Sequence, residues 1–491
     1  MKPAMRLFAL MLALLAVPLA AARADDPRAA GGMLAWPQDE MARALGIFVP
    51  DRMKAFDVPG VAVAIIDKGE IVYTGTFGKA DKSGQRPVTP DTLFQAGELG
   101  QAVVALAALS LVDDKLMFLD APLSRDLEAP WLTDHKDNER VTLRQVLMQT
   151  SGLGNNVAHP SRRTGFEPGS RFARSAIGYV YLQYVMEKLT GLSLDEIVAS
   201  RVFEPLGLTH SHFLLTPETR ALEAQAYVPL SFLLVIFYGP FMAALIGLLI
   251  VFWAMSRFFF QRRLEPLDYL WPVLGGMVFA MTIVWWGFGL ASAVFIIGVA
   301  FICAAVVAML AGFAYYLLYI VGLARARDGI ITRGGAGGEW IIVVLAGAIA
   351  LGGFSPALKW SIPVAQFESL RGVPVANAAV SFRTTAPDMA QLMKALMGDA
   401  PLSRIMRGKL YADPVPAGGP FYWSLVSGMR RDGPRETYWM RGSVLGSESL
   451  MVMDPARRSG VVILTNARSG GELAQDIARN VLGMEAVWSL P

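Results

Sequence analysis

Three long stretches without a single charged side chain constrain this chain more than any other feature. No Asp, Glu, Lys or Arg occurs from Ala224 to Ser256, from Tyr269 to Ala324, or from Trp340 to Leu358. A helix needs about 20 apolar residues to cross the hydrocarbon core of a bilayer, and no globular core needs runs of this length. The first and last runs fit one span each. The middle run is long enough for two, with a turn at Gly287-Phe288-Gly289-Leu290-Ala291-Ser292. The expectation is an inserted block over 226–360 holding four transmembrane helices, about 228–256, 269–288, 292–323 and 340–358. A hydrophobic fraction of 54% against 17% charged residues agrees with a membrane portion.

The flanking charges assign an orientation. Arg257, Arg262 and Arg263 lie between the first two spans, and Arg325, Arg327 and Arg333 between the last two; the middle turn carries none. The positive-inside rule puts both arginine-bearing connections in the cytoplasm, so the segments ending at Glu223 and resuming at Lys359 share the opposite side. The spans contain no ionisable side chain, which argues against an ion pathway or proton relay. At the N-terminus, Lys2 and Arg6 precede an apolar run from Leu7 to Ala20 and a small-x-small site at Ala22-Arg23-Ala24. This pattern predicts a signal peptide over 1–24. The expected location is the bacterial inner membrane, multi-pass, with the soluble part in the periplasm.

A net charge of +3 with no basic stripe gives no footprint for nucleic acid. The single cysteine, Cys303, excludes an intramolecular disulfide. Four histidines with no Cys/His cluster give no zinc pattern, and neither a metal nor a cofactor is expected.

Outside the apolar block the pattern is mixed α/β. Val61 to Ile66 and Ile71 to Gly75 read as a hairpin turning at Asp67-Lys68-Gly69-Glu70. Ser449 to Met453 and Gly460 to Thr465 form a similar pair. Helices are expected from Phe94 to Val112, amphipathic over Ala102 to Val112, and over Tyr179 to Leu189. In order along the chain come Val58-Pro59-Gly60, Phe94 to Gly100, Thr142 to Leu153 ending Thr150-Ser151-Gly152-Leu153, and Phe166-Glu167-Pro168-Gly169. Glu204-Pro205-Leu206-Gly207-Leu208, Ser381 to Met389, Met453-Asp454-Pro455 and Leu464-Thr465-Asn466 follow.

These motifs, in this order, resemble the serine β-lactamase and penicillin-binding-protein family, particularly class C β-lactamases, D,D-peptidases and related esterases. The resemblance covers nearly all of 40–220 and 370–485. It implies an α/β (α+β) β-lactamase-like fold, an antiparallel sheet flanked by helices and interrupted by the four-helix block. Residues 25–225 and 361–491 would be two parts of one periplasmic domain. The family pairs its first strands with its last, so both parts must lie on one side of the membrane, which requires an even number of spans.

The same resemblance exposes missing chemistry. The family's acyl transfer uses Ser-x-x-Lys, Tyr-x-Asn or Ser-x-Asn, and Lys-Thr-Gly or His-x-Gly. Ser-x-x-Lys maps onto Glu98-Leu99-Gly100-Gln101, the second motif onto Arg174-Ser175-Ala176, and the third onto Arg441-Gly442-Ser443. A carboxylate is not primed as a serine is, an amide is no lysine-like base, and arginine stays protonated. The degenerate positions are therefore Glu98, Gln101, Arg174, Ala176 and Arg441, and no catalytic residue is expected. Ser151 reads as a turn hydroxyl. Ser443 lies near the pocket without an evident base, and His135, His159, His210 and His212 match no catalytic position.

By resemblance, Glu98, Gln101, Arg174 and Arg441 converge at the old active site. One reading is a lock in which Arg174 or Arg441 pairs with Glu98. The alternatives are a ligand site, where Glu98, Arg174, Arg441 and Ser443 receive an anionic small molecule, and a decayed pocket with solvated charges. The functional expectation is an integral-membrane pseudoenzyme that binds or scaffolds a cell-envelope protein partner. Its rival is a β-lactamase-related serine hydrolase, peptidase or esterase, using non-standard residues.

Overall fold

The computed structural model describes residues 32–83, 85–156, 161–229, 361–363 and 376–490. The expected signal peptide, the bulk of the four expected spans, Cys303 and His159 lie outside the described residues. Among the described residues, no helix is long and apolar enough to cross a membrane.

The strands are β1 (Gly60–Asp67), β2 (Glu70–Asp81), β3 (Arg86–Pro87), β4 (Phe94–Gln95), β5 (Tyr227–Pro229), β6 (Ser361–Pro363) and β7 (Arg383–Thr384). They continue with β8 (Val415–Gly418), β9 (Phe421–Trp423), β10 (Gly428–Asp432), β11 (Arg435–Val444), β12 (Ser447–Asp454) and β13 (Ser459–Thr465). The principal helices are α1 (Gln38–Phe56), α2 (Gly100–Asp113), α3 (Ala176–Thr190), α4 (Ala386–Lys394) and α5 (Gly470–Leu482). Among the described residues, nine strands form one antiparallel sheet in the order β3-β2-β1-β13-β12-β11-β10-β9-β8.

The order follows from composition. β1 is an unbroken small and β-branched run, buried on both faces, as a central strand must be. It pairs with β2 on one side and with β13 on the other, Val61 opposite Thr465 and Ile66 opposite Gly460. The hairpin turns where Lys68 and Gly69 both take positive φ, 51° and 84°, the conformation a tight two-residue turn needs. Both sequence-expected strand pairs are present and run longer than read: β1–β2 and β12–β13.

Helices cover both faces. In α1, Met41, Leu45, Val49 and Met53 recur every four residues and are buried. The helix packs on α5, which buries Leu473, Ile477 and Val481 at the same spacing. The Arg52–Asp476 ion pair joins the two. On the opposite face, α4 brings Met393 against Gly460 of β13. Nearly every residue of α2 is buried, so it runs through the helical layer rather than over it. One expectation is corrected here. Phe94–Gln95 is not helix but β4, paired with β7; a 3-10 turn, Gly97–Leu99, follows, and α2 starts at Gly100. The partner strand lies almost 300 residues away, so no local periodicity marks it.

The apolar block leaves and re-enters through neighbouring strands. β5 and β6 pair antiparallel, with Tyr227 opposite Pro363 and Pro229 opposite Ser361. Val228 and Pro229, expected to begin the first span, and Tyr227, placed in the inserted block, therefore belong to the folded domain. Absence of charge does not distinguish a short buried strand from a membrane segment, so charge alone puts the boundary too early in the chain.

Candidate functional site

Glu98 lies in the 3-10 turn, directly against β11. Two glycines allow this approach. Gly97 takes φ 54°, and a Cβ there would meet Val444 Cγ1 at 2.9 Å; a Cβ on Gly442 would sit 1.8 Å from the Ala96 carbonyl oxygen. The pairing of β10 with β11 ends at Gly428 opposite Trp439, so the β10-facing edge of residues 440–444 is left open. The Ser443 N–H donates to Glu98 Oε2 at 2.6 Å. The other carboxylate oxygen lies 3.9 Å from Arg174 Nη2, and the Arg174 guanidinium stands 5.9 Å from the Trp423 ring centre. At that separation, with both groups partly solvated, the ion pair contributes at most about 1 kcal/mol. The charge-assisted bond to Ser443 is the stronger tie.

Gln101, at the position resembling the family's lysine, is buried, with a hydrogen bond at each end of its amide. Its Nε2 donates to Ala379 O at 3.4 Å, and its Oε1 accepts from Gln149 Nε2 at 3.2 Å. Gln149, also buried, accepts at Oε1 from Ser175 N at 2.6 Å. A neutral chain of amides thus ties α2 to the start of α3. Ser175 caps α3 by accepting from Gly178 N at 2.8 Å, and Ala176 is the first helical residue, with its N–H on Asn155 Oδ1 at 2.9 Å. Gln101→Leu should leave the Gln149 amide without its acceptor. The expected loss is about 1–3 kcal/mol of unfolding free energy, read by thermal unfolding of the full chain.

Arg441 does not join this group, which corrects the expected convergence. Side chains alternate along a strand, and Gly442 faces Ala96, so Arg441 and Ser443 project from the other face of the sheet. There Arg441 Nε and Nη2 donate to Glu448 Oε2 at 3.2 and 3.1 Å. Its guanidinium lies 2.8 Å from where a Gly471 Cβ would be, at the start of α5. Glu448 is 1% exposed. It also accepts from Ser443 Oγ at 2.8 Å and from Arg468 Nη1 at 2.8 Å. Burial raises its pKa above the usual carboxylate range, opposed by Arg441, Ser443 and Arg468. An anion at a helix N-terminus is favoured, and two guanidiniums face it.

Glu448, Arg468 and Gln149 were missed by sequence reasoning. For Glu448 a signal existed: it is the one charged residue before the final Asp454 in an otherwise apolar or small strand, Ser447–Asp454. Ser443, read as lacking a base, has a carboxylate partner. The Ser151 hydroxyl accepts from Leu153 N at 3.4 Å inside its turn. The His210 ring lies 3.8 Å from Asp91, and burial lowers the pKa of His212; neither reaches Glu98 in any contact the structure gives.

The antiparallel sheet in which β1 pairs with the last strand, β13, and the turn before α2 packs on β11, is a β-lactamase-like fold. The Beta-lactamase family model matches residues 48–267. Esterase EstB of Burkholderia gladioli is 33% identical over 184 residues, 31% of this chain and 46% of that protein. Protein flp of Staphylococcus aureus (strain N315) is 22% identical over 188 residues, 35% of this chain and 38% of that protein. The chain thus spans less than half the length of these curated relatives. Among solved structures, D-alanine carboxypeptidase AmpC from Burkholderia cenocepacia aligns with TM-score 0.56 at 15% identity, covering 91% of this chain and 99% of that one. A class C β-lactamase mutant aligns with TM-score 0.54 at 15% identity, covering 91% and 97%. The solved structures share this chain's fold, and the Beta-lactamase model matches residues 48–267, so a β-lactamase-like α/β fold is supported.

Proposed function

We propose that this chain is a β-lactamase-like pseudoenzyme, held in the bacterial inner membrane by the block between β5 and β6. Its soluble domain faces the periplasm and serves as a binding or scaffold protein of the cell envelope. One observation carries the reading: the Glu98 carboxylate rests on the Ser443 N–H. A backbone N–H at an open strand edge suits the negative charge that develops during acyl transfer. Here a resident carboxylate takes it, from the position resembling the family's nucleophile. Gln101 supports the reading, since its amide is consumed by Ala379 and Gln149. The charge-free runs, and the pairing of β5 with β6, support an insert that returns to the side it left.

The expected behaviour follows. Full-length protein purified in mild detergent should not be labelled by a fluorescent phosphonate or penicillin. Glu98→Ala should lower the unfolding free energy by about 1.5–3 kcal/mol, the range for a hydrogen bond to a charged group. Unchanged melting of Glu98→Ala would sink the lock. Its partners would then be sought among proteins that co-purify in fixed stoichiometry.

A second reading has one specific observation in its favour. Ser443 Oγ donates to Glu448, a carboxylate whose pKa is raised by burial, which is a nucleophile beside a potential base. Against it, the same hydroxyl also accepts from Arg468 Nη1. Phosphonate labelling that maps to Ser443 would replace the pseudoenzyme reading with a serine hydrolase of non-standard residues.

A further inference from the structure

The root of the inserted block and the Glu98 contact are joined by consecutive hydrogen bonds. Tyr227 N, in β5, donates to Gly446 O and to Asn466 O, both at 3.0 Å, and Tyr227 O accepts from Arg468 N at 2.9 Å. Gly446 lies in the two-residue turn between β11 and β12, where Val444 pairs with Ser447. The Arg468 guanidinium in turn holds Ser443 Oγ and Glu448 Oε1. Ser443 N holds Glu98, whose other oxygen faces Arg174.

The two sides of this root differ. Asn466 fixes one side: its Oδ1 accepts from Gly60 N at 2.7 Å, and its Nδ2 donates to Lys79 O at 3.1 Å. That side is anchored to β1 and β2. The other side rests on the β11–β12 turn and on Arg468, the elements that carry Ser443. A short hairpin moves as a unit, because cross-strand pairing holds its residues in register. A shift of Ser443 therefore carries Gly446 with it.

We propose that the strand pair β5–β6 and the Glu98–Ser443 contact form one coupled device, with Gly446 and Arg468 as its two bridges. Its two states are Glu98 on and off the Ser443 N–H. An anionic group of a partner that displaces Glu98 shifts the β11–β12 turn and is felt at the root of the insert. Movement at the root loosens Glu98 by the same free energy, since coupling between sites is reciprocal. The device deepens the proposed function and rests on Glu98 being a resident occupant of that N–H.

The test is amide hydrogen exchange on the full-length chain in lipid nanodiscs, comparing wild type, Glu98→Ala, Arg468→Met and the double variant. Glu98→Ala is expected to speed exchange about fivefold or more, the lower range of measured couplings, over 441–447 and also over 226–229 and 466–468. Exchange in β2 and α1 should stay unchanged. In the Arg468→Met background the effect of Glu98→Ala at 466–468 should shrink to about twofold or less, while its effect at 441–447, and at 226–229 through the Gly446–Tyr227 bond, persists. Arg468→Lys keeps the charge with a shorter reach and gives the same comparison if the methionine variant is poorly folded. Faster exchange at 441–447 with an unchanged root overturns the coupling and leaves the Glu98 lock standing. No change at 441–447 overturns both.

Discussion

Gly442→Ala is expected to be among the most damaging single-methyl additions in the protein, costing about 3 kcal/mol of unfolding free energy. The added Cβ would stand 1.8 Å from Ala96 O, 2.5 Å from Ser449 Oγ and 2.9 Å from the Ala96 carbonyl carbon. The nearest obstacle is backbone, so no flexible side-chain end can swing away. Nor can the turn retreat at little cost: Ala96 N donates to Phe382 O at 2.9 Å, and Ala96 O accepts from Ser449 Oγ at 3.1 Å and from Leu99 N at 3.1 Å. Overpacking costs typically about 1–3 kcal/mol, and a clash between two backbones belongs at the upper end. Separation of the turn from β11 also removes the Glu98–Ser443 bond, so protease sensitivity should rise over 94–101. Gly46→Ala is the matched control. It lies inside α1, and its Cβ meets nothing within 4 Å, so helix propensity alone should leave it neutral or slightly stabilised. Equal melting of Gly442→Ala and wild type would mean that the turn does not pack on β11 as described.

Glu448→Ala should be comparably severe, at about 3–5 kcal/mol, the cost of breaking a buried ion pair by removing one partner. The lower end is favoured because the Arg441 and Arg468 side chains remain 34% and 37% exposed and can regain water. The ion pairs and the raised pKa point in different directions. Geometry shows a carboxylate held by two guanidiniums, yet burial outweighs their attraction. Both hold together if the charged group is costly to bury and costlier to abandon. Because the folded-state pKa is raised, the native state holds this proton more tightly than the unfolded chain does. The group's contribution to stability is therefore fully present below the unfolded carboxylate range, about pH 4, and is lost as pH rises through the folded value. Glu448→Gln keeps the shape and cannot titrate, so it should cost less than alanine. Its stability relative to wild type should improve as pH rises from about 4. Denaturant unfolding of both variants across that range checks the sign, and a relative decline for glutamine would contradict it.

Much of this was legible in the sequence, and the failures have common physical causes. Glu98, Gln101 and Arg174 were located because they stand in local motifs, next to glycines and prolines that fix turns. Glu98 and Arg174 do meet. Arg441 maps to the third motif and is expected beside Glu98, but it lies on the other face of β11. Strand periodicity is two, so a one-residue error in register reverses every side chain, and only the contact between Gly442 and Ala96 settles the parity. The chain Ala379–Gln101–Gln149–Ser175 joins four distant segments. No sequence spacing encodes such a chain. β4 and β5, two and three residues long, are defined by remote partners rather than by pattern.

The order of strands also sets a clock. Ile66 finds its place opposite Gly460, and synthesis at about 5–20 residues per second separates the two by tens of seconds. Throughout that interval β1, apolar from Gly60 to Ile66 and paired only with β2, leaves an open hydrogen-bonding edge in the nascent chain. Unpaired edges of this kind recruit other strands. Yield should therefore depend on what shields that edge until translation ends, and slowing translation between Pro229 and Ser361 should increase aggregation without altering the finished protein.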